Sequence, residues 1–480
     1  MECEPCYSRT LFSPGDVLNA SENQYVAARP WAPTLHLGPR HARRSVKRLE
    51  ELRKDLLVRN REMRILWVKA GKLFPLNGGG RIRTVNILRH LALCNEVTVF
   101  SYYQGRRDPP GEEELNRHFP ASISIAIPTP GSDSPRLRRS LHYLSMVHLP
   151  APYAVSQFNS EAVRRSLREQ LQGGRFDIAV CDFLAATLNF PTRLSIPAVL
   201  FQHNVEAALW KRQALTTVNP FARLVFQLEA AKMSRYEPRA MAQFDHVIAV
   251  SENDRRLMSQ IPDERISVVP TGVDLKTFAG RTSSAGDDPV VVFTGAMDWE
   301  ANVDGIEYFC REIWPKIRHE IPRAKLQIVG REPGTRIKDL QSPSVEVTGT
   351  VPSILPYLEQ AATIIVPLRI GGGTRLKIYE SMAMGKAVVS TSIGAEGLDI
   401  HPGRDIAIAD DPSEFARRVI LFLQDKSLRR QYGADAAKTA SQYDWSVIAG
   451  RFERVLIETA AARKAGPARR ETGLPKPFAR

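Results

Sequence analysis

The sequence has few cysteines, and their number is odd. Five occur in 480 residues: Cys3, Cys6, Cys94, Cys181 and Cys310. So sparse a set argues against a disulfide framework and fits a reducing compartment. Cys3 and Cys6 form one CxxC pair, but no second pair or nearby histidine completes a zinc site, so an unstructured terminus is the simpler interpretation. The sequence therefore predicts neither a disulfide scaffold nor a bound metal.

Long apolar runs are also missing. No uninterrupted stretch approaches the roughly 18 apolar residues that cross a bilayer. The N-terminal segment MECEPCYSRTLFSPGD has no apolar core behind a basic start, which argues against a secretory signal. We therefore expect a cytoplasmic protein.

Acidic residues are outnumbered by basic ones. Lysine and arginine total 66 against 52 aspartates and glutamates, which leaves a formal charge of +14. This balance favours anionic partners such as phosphates, nucleic acid or an acidic membrane surface. Because the sequence carries no zinc finger and no RNP-like aromatic motif, a nucleic acid partner is not expected.

Residues 1–62 differ in composition from the rest of the chain and end in a strongly basic segment. Apolar side chains recur there at helical spacing behind Ser45, a candidate N-cap: Val46, Leu49, Leu52 and Leu56. A basic amphipathic helix suits an anionic membrane surface, and it equally suits a solvated leader packed on the first domain. A third interpretation is that the natural start is Met63, directly before the first strand.

From residue 63 the chain alternates between short apolar strands and helical segments. One series covers 63–274, a polar linker follows, and a second series covers 285–440. This alternation predicts an α/β protein with two doubly wound parallel sheets, whose ligands bind at the carboxyl ends of the strands, in the cleft between the domains. We expect a final helix over 441–465, free to cross back to the first domain, and a disordered tail over 466–480.

Two common nucleotide-binding motifs are absent. NGGGR (77–81) lacks the third glycine of GxGxxG, and the strand EVTVFSYY does not end in a ribose-binding carboxylate, so a nicotinamide cofactor is not expected. Gly385 and Lys386 lack the spacing of a Walker A loop, which disfavours ATP hydrolysis. Gly79 and Gly80 permit close approach of an anion to a helix N-terminus, or else they belong to a plain tight turn.

The stretch RIGGGTRLKIYESMAMGKAVVST (369–391) predicts a second anion site. Residues 371–373 would form the turn after a strand and Thr374 the cap of a helix, with Arg375 and Lys377 in its first turn. Cations there oppose the helix dipole at a cost of ~0.3–1 kcal/mol each, and a bound anion would reverse that penalty. The alternative is that both side chains simply reach into water.

Glu380 lies on the same predicted helix, six residues after Thr374. That spacing is ~9 Å along the axis, far enough to reach a group beyond a bound diphosphate, such as ribose hydroxyls. The alternative interpretation is an ordinary surface glutamate.

These segments resemble a known family, the group 1 glycosyltransferases with the GT-B fold. The matching motifs are VVPTGVD, IVGREP, VTGTVPSILPYLEQA and YESMAMGKAVVST. The resemblance covers roughly 63–460 and is strongest over 268–398. TGAMDWEANVDG together with GGGTRLKIYE is most similar to bacterial sugar transferases associated with exopolysaccharide systems. The resemblance implies two Rossmann-like domains facing across a cleft, the first binding an acceptor and the second a nucleotide sugar.

The resemblance also implies roles for particular residues. Glu380 matches the family residue that binds the ribose hydroxyls, and His203, in FQHNVE, matches a histidine that faces the sugar across the cleft. We therefore assign catalysis to His203, Arg375 and Lys377. The predicted donor-binding residues are Gly79, Gly80, Gly372, Gly373, Thr374, Arg375, Lys377 and Glu380.

The sequence departs from the family pattern at two places. Many members have a glutamate eight positions before the ribose-binding one, where this chain has Gly372. Many also hold the diphosphate with an arginine and a lysine after the first strand of the second domain, where this chain has GAMDWEANVDG. Arg375 and Lys377 are candidate substitutes for that pair. Trp299, in the same segment, either packs against the base or sugar or fills the hinge.

The sequence thus predicts a retaining glycosyltransferase that moves a sugar from a UDP- or GDP-sugar to the hydroxyl of a glycan or lipid-linked acceptor, in glycan or exopolysaccharide synthesis. No cofactor or metal is expected, and the charge is compatible with peripheral contact with the inner face of an anionic membrane. Two alternatives stay open. One is a nucleotide-sugar-binding protein without catalysis, suggested by Gly372, and the other is a nucleotide-sugar 2-epimerase, which shares the two-domain fold.

Overall fold

The computed structural model describes residues 62–76, 78–130, 136–217, 219–280, 288–370 and 375–464. The predictions for the basic helix near the N-terminus, for the pair Cys3 and Cys6, and for the tail over 466–480 lie outside these residues. Within them, two parallel sheets form, each with helices on its faces. The predicted α/β architecture with two doubly wound domains is therefore confirmed.

The first domain is built on a sheet of seven strands within the described part of the chain. They are β1 (Arg64–Ala70), β2 (Glu96–Gln104), β3 (Ile123–Ile127), β4 (Ile178–Asp182), β5 (Ala198–Phe201), β6 (His246–Ala249) and β7 (Ile266–Val268). Their spatial order is β3-β2-β1-β4-β5-β6-β7, with all neighbours parallel. The order reverses between β1 and β4, and a crevice opens at such a switch point beside the carboxyl ends of the strands.

Helices cover both faces of this sheet, which is why its central strands are mostly apolar. They are α1 (Gly79–Leu91), α2 (Pro109–His118), α3 (Arg136–Met146), α4 (Tyr153–Ser156), α5 (Glu161–Gln172), α6 (Glu206–Thr216), α7 (Pro220–Ala242), α8 (Glu252–Leu257) and α9 (Leu275–Phe278). α6 and α7 form a helical hairpin, in which the rings of Trp210 and Phe226 lie 5.9 Å apart.

The second domain repeats the plan on a smaller sheet. Its strands are β8 (Val290–Thr294), β9 (Lys325–Val329), β10 (Val345–Gly349), β11 (Thr363–Val366), β12 (Val388–Ser390) and β13 (Ala407–Ile408). They lie in the order β10-β9-β8-β11-β12-β13, all parallel, so the switch point falls between β8 and β11. The loops after these two strands are GAMDWEANVDG and the glycine stretch that begins at residue 371.

The helices of the second domain begin after β8. They are α10 (Glu300–Tyr308), α11 (Trp314–Glu320), α12 (Thr335–Lys338), α13 (Leu355–Gln360), α14 (Leu376–Ala383), α15 (Pro412–Gln424), α16 (Lys426–Ala440) and α17 (Trp445–Lys464). A π-helical turn, Phe309–Ile313, joins α10 to α11. Among all helices of the described residues, none combines the length and the apolar composition that crossing a membrane requires.

α17 packs against the first domain rather than the second. The ring of Phe452 lies 5.4 Å from that of Trp67 on β1, and Arg463 forms an ion pair with Asp245, which precedes β6. The chain therefore crosses between the domains twice, once after β7 and once before α17.

Candidate active site

The glycine loop after β1 is the point where the two domains approach each other. α1 begins at Gly79, and a Cβ atom on that glycine would lie 3.6 Å from Leu376 Cδ1 of α14 in the second domain. A Cβ atom on Gly80 would lie 3.2 Å from His203 Nδ1. The two glycines thus bring together three elements that the sequence assigned to one site: the loop, His203 and α14. Asn77, at the start of the loop, lies outside the described residues.

His203 lies directly after β5 with 6% of its surface exposed. Its Nε2 atom lies 2.8 Å from Asp182 Oδ1, at the end of β4, although the ring N–H does not point along that line. Burial lowers the pKa of His203 to about 4, with the nearby cations Arg83 and Lys69 adding to the effect and Asp182 opposing it. The imidazole is therefore neutral at pH 7 and can hydrogen-bond an uncharged hydroxyl.

Asp182 is fully buried and accepts hydrogen bonds from two elements, β1 and α1. Its Oδ2 atom accepts hydrogen bonds from Lys69 Nζ (2.9 Å), Trp67 Nε1 (3.0 Å) and Thr84 Oγ1 (2.7 Å). Burial alone would raise the pKa of this carboxyl group, but the charge of Lys69 and the contact with His203 lower it overall. Asp182 is thus a buried carboxylate that joins β1, β4 and α1 beside His203.

Sequence reasoning did not identify Lys69, Asp182 or Arg83. Lys69 and Asp182 are polar residues at the carboxyl ends of otherwise apolar strands, which is a signal that could have pointed to them. Arg83 lies on α1 one turn after the glycines and is 4% exposed. Burial lowers its pKa to about 10, with Asp254 and Asp182 opposing that shift. These residues add two cations and a carboxylate to the first domain's side of the cleft.

On the other side of the cleft, α14 begins one residue later than predicted. Its first residue is Leu376, and Arg375 occupies the N-cap position with φ −93° and ψ 94°. The prediction that Arg375 lies in the first helical turn, capped by Thr374, is therefore wrong, because the extended backbone of Arg375 keeps it out of the helix. Lys377 does lie in the first turn. Gly372, Gly373 and Thr374 are outside the described residues.

Arg375 is 5% exposed, so it does not simply reach into water. Its guanidinium carbon lies 5.1 Å from the ring centre of Trp299, which precedes α10. Burial lowers the pKa of Arg375 to about 10, while Glu396 opposes the shift and Arg212 adds to it. Arg375 stays charged at pH 7, and Trp299, 41% exposed, packs on this cation.

Lys377 reaches the loop after β8. Its Nζ atom donates a hydrogen bond to Asn302 Oδ1 (3.1 Å) and lies 4.2 Å from the ring centre of Phe293. A Cβ atom on Gly295 would come within 2.8 Å of the same nitrogen. The ammonium group therefore lies beside GAMDWEANVDG, the segment that lacks the arginine and lysine of the family pattern. Burial, together with Arg375, lowers the pKa of Lys377 to about 7.

Glu380 follows Lys377 by one turn of α14 and is partly buried. Its carboxylate makes no hydrogen bond with any residue that the structure describes. Burial raises the pKa of Glu380 to about 7, and the charge of Lys377 opposes that shift. α14 and the residue before it thus present Arg375, Lys377 and a carboxyl group whose pKa is about 7 at one end of the cleft.

A further contact joins the two domains beside this site. Arg212 on α6 forms a bidentate ion pair with Glu396 of the second domain, with both N–O distances 2.6 Å. Asn253 Nδ2 donates to Glu396 Oε1 at 3.1 Å. Because α6 begins three residues after His203, this contact connects the histidine side of the cleft with the segment after β12.

Two family models match this chain, one on each domain. The model described as "Glycosyltransferase Family 4" matches residues 77–277. The model described as "Glycosyl transferases group 1" matches residues 288–425. Together they cover every strand of the two sheets except β1, and they contain the site residues described above except Trp67 and Lys69.

Curated relatives match at low identity. An uncharacterised 44.6 kDa protein from the cps region of Klebsiella pneumoniae is 22% identical over 287 residues, which is 57% of this chain and 72% of that protein. The phosphatidyl-myo-inositol mannosyltransferase of Mycobacterium tuberculosis is 26% identical over 235 residues, 45% of this chain and 59% of that enzyme.

Solved structures match over most of the chain. Sucrose-phosphate synthase from Thermosynechococcus elongatus aligns with a TM-score of 0.64 at 16% identity, covering 84% of this chain and 100% of that one. HepE of Anabaena, solved with UDP and glucose, aligns with a TM-score of 0.56 at 14% identity, covering 82% and 100%. At these identities the comparison supports the shared two-domain fold.

Proposed function

Because the chain belongs to the group 1 glycosyltransferases and has the GT-B fold, we propose that it is a retaining enzyme that transfers a sugar from a nucleoside diphosphate sugar to an acceptor hydroxyl. The observation that carries the proposal is the position of Lys377. Its ammonium group lies beside Gly295 and Asn302, where the family pattern would place diphosphate-binding cations. Arg375, one residue before α14, adds a second positive charge.

In this proposal the N-terminus of α14 binds the donor diphosphate. Backbone N–H groups, the helix dipole and two cations favour an anion at that position. As the bond between the sugar's anomeric carbon and the diphosphate breaks, negative charge grows on the leaving oxygen. Arg375 and Lys377 stabilise that charge without having to rearrange. Glu380 accepts hydrogen bonds from the ribose hydroxyls further along the helix.

The acceptor oxygen bonds to the anomeric carbon on the face that the diphosphate leaves. Its proton passes to an oxygen of the departing phosphate, so no enzymic carboxylate nucleophile is required. Neutral His203 binds a sugar hydroxyl from the opposite side of the cleft. Closure of the two domains excludes water, which limits hydrolysis of the donor.

We also propose a setting for the reaction. The cps-region relative and the UDP complex of HepE support a UDP-sugar donor and a place in exopolysaccharide synthesis, for which we expect a glycan or lipid-linked acceptor. The protein would act on the cytoplasmic side of the membrane, in peripheral contact with it. Because Arg375 and Lys377 supply the positive charge, transfer is expected to proceed in EDTA.

The test begins with a panel of nucleotide sugars, because a ligand that binds the native state raises the melting temperature. The donor with the largest shift is then assayed for transfer, and the anomeric configuration of the product is determined by NMR. Arg375→Ala and Lys377→Ala should each weaken donor binding and slow transfer by roughly 10²-fold or more. Arg417→Ala, an exposed cation of α15, serves as the matched control.

If both variants bind and transfer as the wild type does, the assignment of the diphosphate site is wrong. The same assay separates the two remaining alternatives. A binding protein without catalysis, which Gly372 in place of glutamate suggests, would show the thermal shift but no turnover. An epimerase would change the sugar when incubated with the donor alone.

A further inference from the structure

An exposed apolar face lies on two helices of the first domain. α3 exposes Leu137, Leu141 and Leu144, and α7 exposes Phe221, Leu224 and Leu228. Their exposed fractions range from 41% for Leu228 to 83% for Phe221, although surfaces usually leave such side chains exposed only singly. The spacings of four and three residues place each trio on one side of its helix.

The two helices are joined near the C-terminal end of α3. Tyr143 on α3 donates a hydrogen bond to Glu229 on α7 at 3.4 Å, and Lys232 Nζ donates to the carbonyl oxygen of Val147 at 2.6 Å. Leu144 follows Tyr143, and Leu228 precedes Glu229, so each trio has one member next to this contact in the sequence. We call these six residues the apolar face.

The exposed charges on these two helices have one sign. The exposed charged side chains described on the two helices are basic: Arg138, Arg139, Arg223, Arg235 and Arg239. The two acidic residues of α7, Glu229 and Glu237, are 1% and 2% exposed and hydrogen-bonded inside the domain. α3 contains no acidic residue. An apolar stripe edged by arginines is the pattern of a helix that lies in the interface of an anionic membrane.

We infer that the apolar face docks this protein on an anionic lipid bilayer. A second copy of the chain is a poorer occupant, because self-association would bring the arginines of two such faces together in a protein whose formal charge is already +14. A bilayer with acidic headgroups takes up the leucines and the phenylalanine in its interfacial region and pairs the arginines with phosphates. None of the six residues of the apolar face belongs to the N-terminal basic segment.

The apolar face is connected to the cleft through α6. α6 begins three residues after His203, carries Arg212 to the domain contact, and ends at the hairpin tip that leads to Phe221. Its 11 residues span roughly 16 Å. Docking through α7 would therefore hold the acceptor side of the cleft near the membrane surface. The inference itself requires no sugar transfer.

The test is sedimentation of the full chain with sucrose-loaded vesicles of phosphatidylcholine alone, or with about a third phosphatidylglycerol. The wild type should bind the anionic vesicles, and binding should weaken as salt rises. A variant with Leu141→Gln and Phe221→Gln should partition at least about tenfold more weakly. Leu93→Gln is the matched control, because Leu93 is 78% exposed but lies between α1 and β2.

Three results would overturn the inference: a wild type that ignores anionic vesicles, a double variant that binds as the wild type does, or concentration-dependent dimers that the double variant abolishes without any vesicle binding. If the double variant binds as the wild type does, the membrane contact is assigned to the N-terminal basic segment instead. The melting-temperature rise with nucleotide sugar is measured on every variant. Its persistence shows that the fold and the donor site are intact, so the docking result stands apart from the transfer assignment.

Discussion

At the scale of single residues, the site depends on the absence of a side chain at Gly80. The hydrogen on its Cα faces His203, and a Cβ there would lie 3.2 Å from Nδ1, closer than nine in ten real contacts of a Cβ atom. The backbone of the glycine loop thereby sets how far the imidazole can project into the cleft. The sequence predicts this glycine loop as an anion site or a plain turn. In the structure it also fixes the position of the His203 ring.

Gly80→Ala should consequently displace the imidazole. We expect transfer to slow by between about tenfold and a hundredfold, since displacements of an ångström in a site have that effect, while donor affinity changes little. Steady-state kinetics with the identified donor measures both quantities. Gly78→Ala is the matched control, because Gly78 is extended and a Cβ there meets nothing within 4 Å. Equal activity of the two variants would show that Gly80 does not fix the position of the His203 ring.

Lys377 carries the second residue-scale prediction. Burial and Arg375 lower its pKa to about 7, so the free enzyme loses this charge as pH rises through 7. Lys377→Arg keeps the charge at all these values of pH. The ratio of donor affinities, Lys377→Arg over wild type, should therefore rise about tenfold between pH 6 and pH 8.

Burial also raises the pKa of Glu380 to about 7, so this carboxyl group titrates over the same pH range in both proteins. Its effect on donor affinity cancels in the ratio of the two affinities. Isothermal titration calorimetry with the nucleotide sugar at five pH values measures it. A ratio that stays constant with pH would mean that Lys377 does not contact the diphosphate.

At the scale of elements, the strands and helices were largely predictable, and their ends were not. Buried parallel strands have short apolar sequences, so the composition of β1, β8 and β11 is enough to predict them. The start of α14 was misplaced by one residue because backbone φ and ψ at Arg375 depend on its packing against Trp299, which sequence does not show. Asp182 escaped notice because its partners Lys69 and Thr84 are 113 and 98 residues away.

The start of α6 supplies a prediction at this scale. Glu237, buried on α7, accepts hydrogen bonds from the backbone N–H groups of Glu206 and Ala207 at 2.9 and 3.0 Å, and from Gln202 Nε2 at 3.1 Å. It thereby pairs donors that a helix N-terminus leaves open. Glu237→Ala should lower the free energy of unfolding by about 1–3 kcal/mol, because these donors stay buried without an acceptor.

Urea denaturation followed by circular dichroism checks this value. Glu237→Gln, which keeps one acceptor oxygen, should lose less stability, and Glu264→Ala, an exposed glutamate, should lose almost none. If Glu237→Ala unfolds at the same urea concentration as the wild type, water must accept the hydrogen bonds of these donors in the variant.

At the scale of the whole molecule, three connections between the domains within the described residues differ in kind. The chain passes from β7 to β8, α17 returns to pack on β1 through Phe452, and Arg212 pairs with Glu396 across the cleft. The first two contacts are covalent or apolar and persist in any open state. The side chains of the ion pair are 39% and 24% exposed, so the pair can separate in water at small cost. We therefore expect this contact to break when the cleft opens and to form when it closes.

Arg212→Ala should therefore shift the enzyme toward more open states. A partly exposed pair contributes about 1 kcal/mol or less, which is up to roughly fivefold in the population of the closed form. Because closure excludes water, donor hydrolysis without acceptor should rise relative to transfer by a similar factor, and Glu396→Ala should act in the same direction. Release of free sugar and formation of product are measured in one assay. Arg64→Ala is the matched control, since Arg64 pairs with Asp177 inside the first domain at 43% and 26% exposure. If the ratio of hydrolysis to transfer is the same in all three variants, the Arg212–Glu396 pair does not hold the cleft closed.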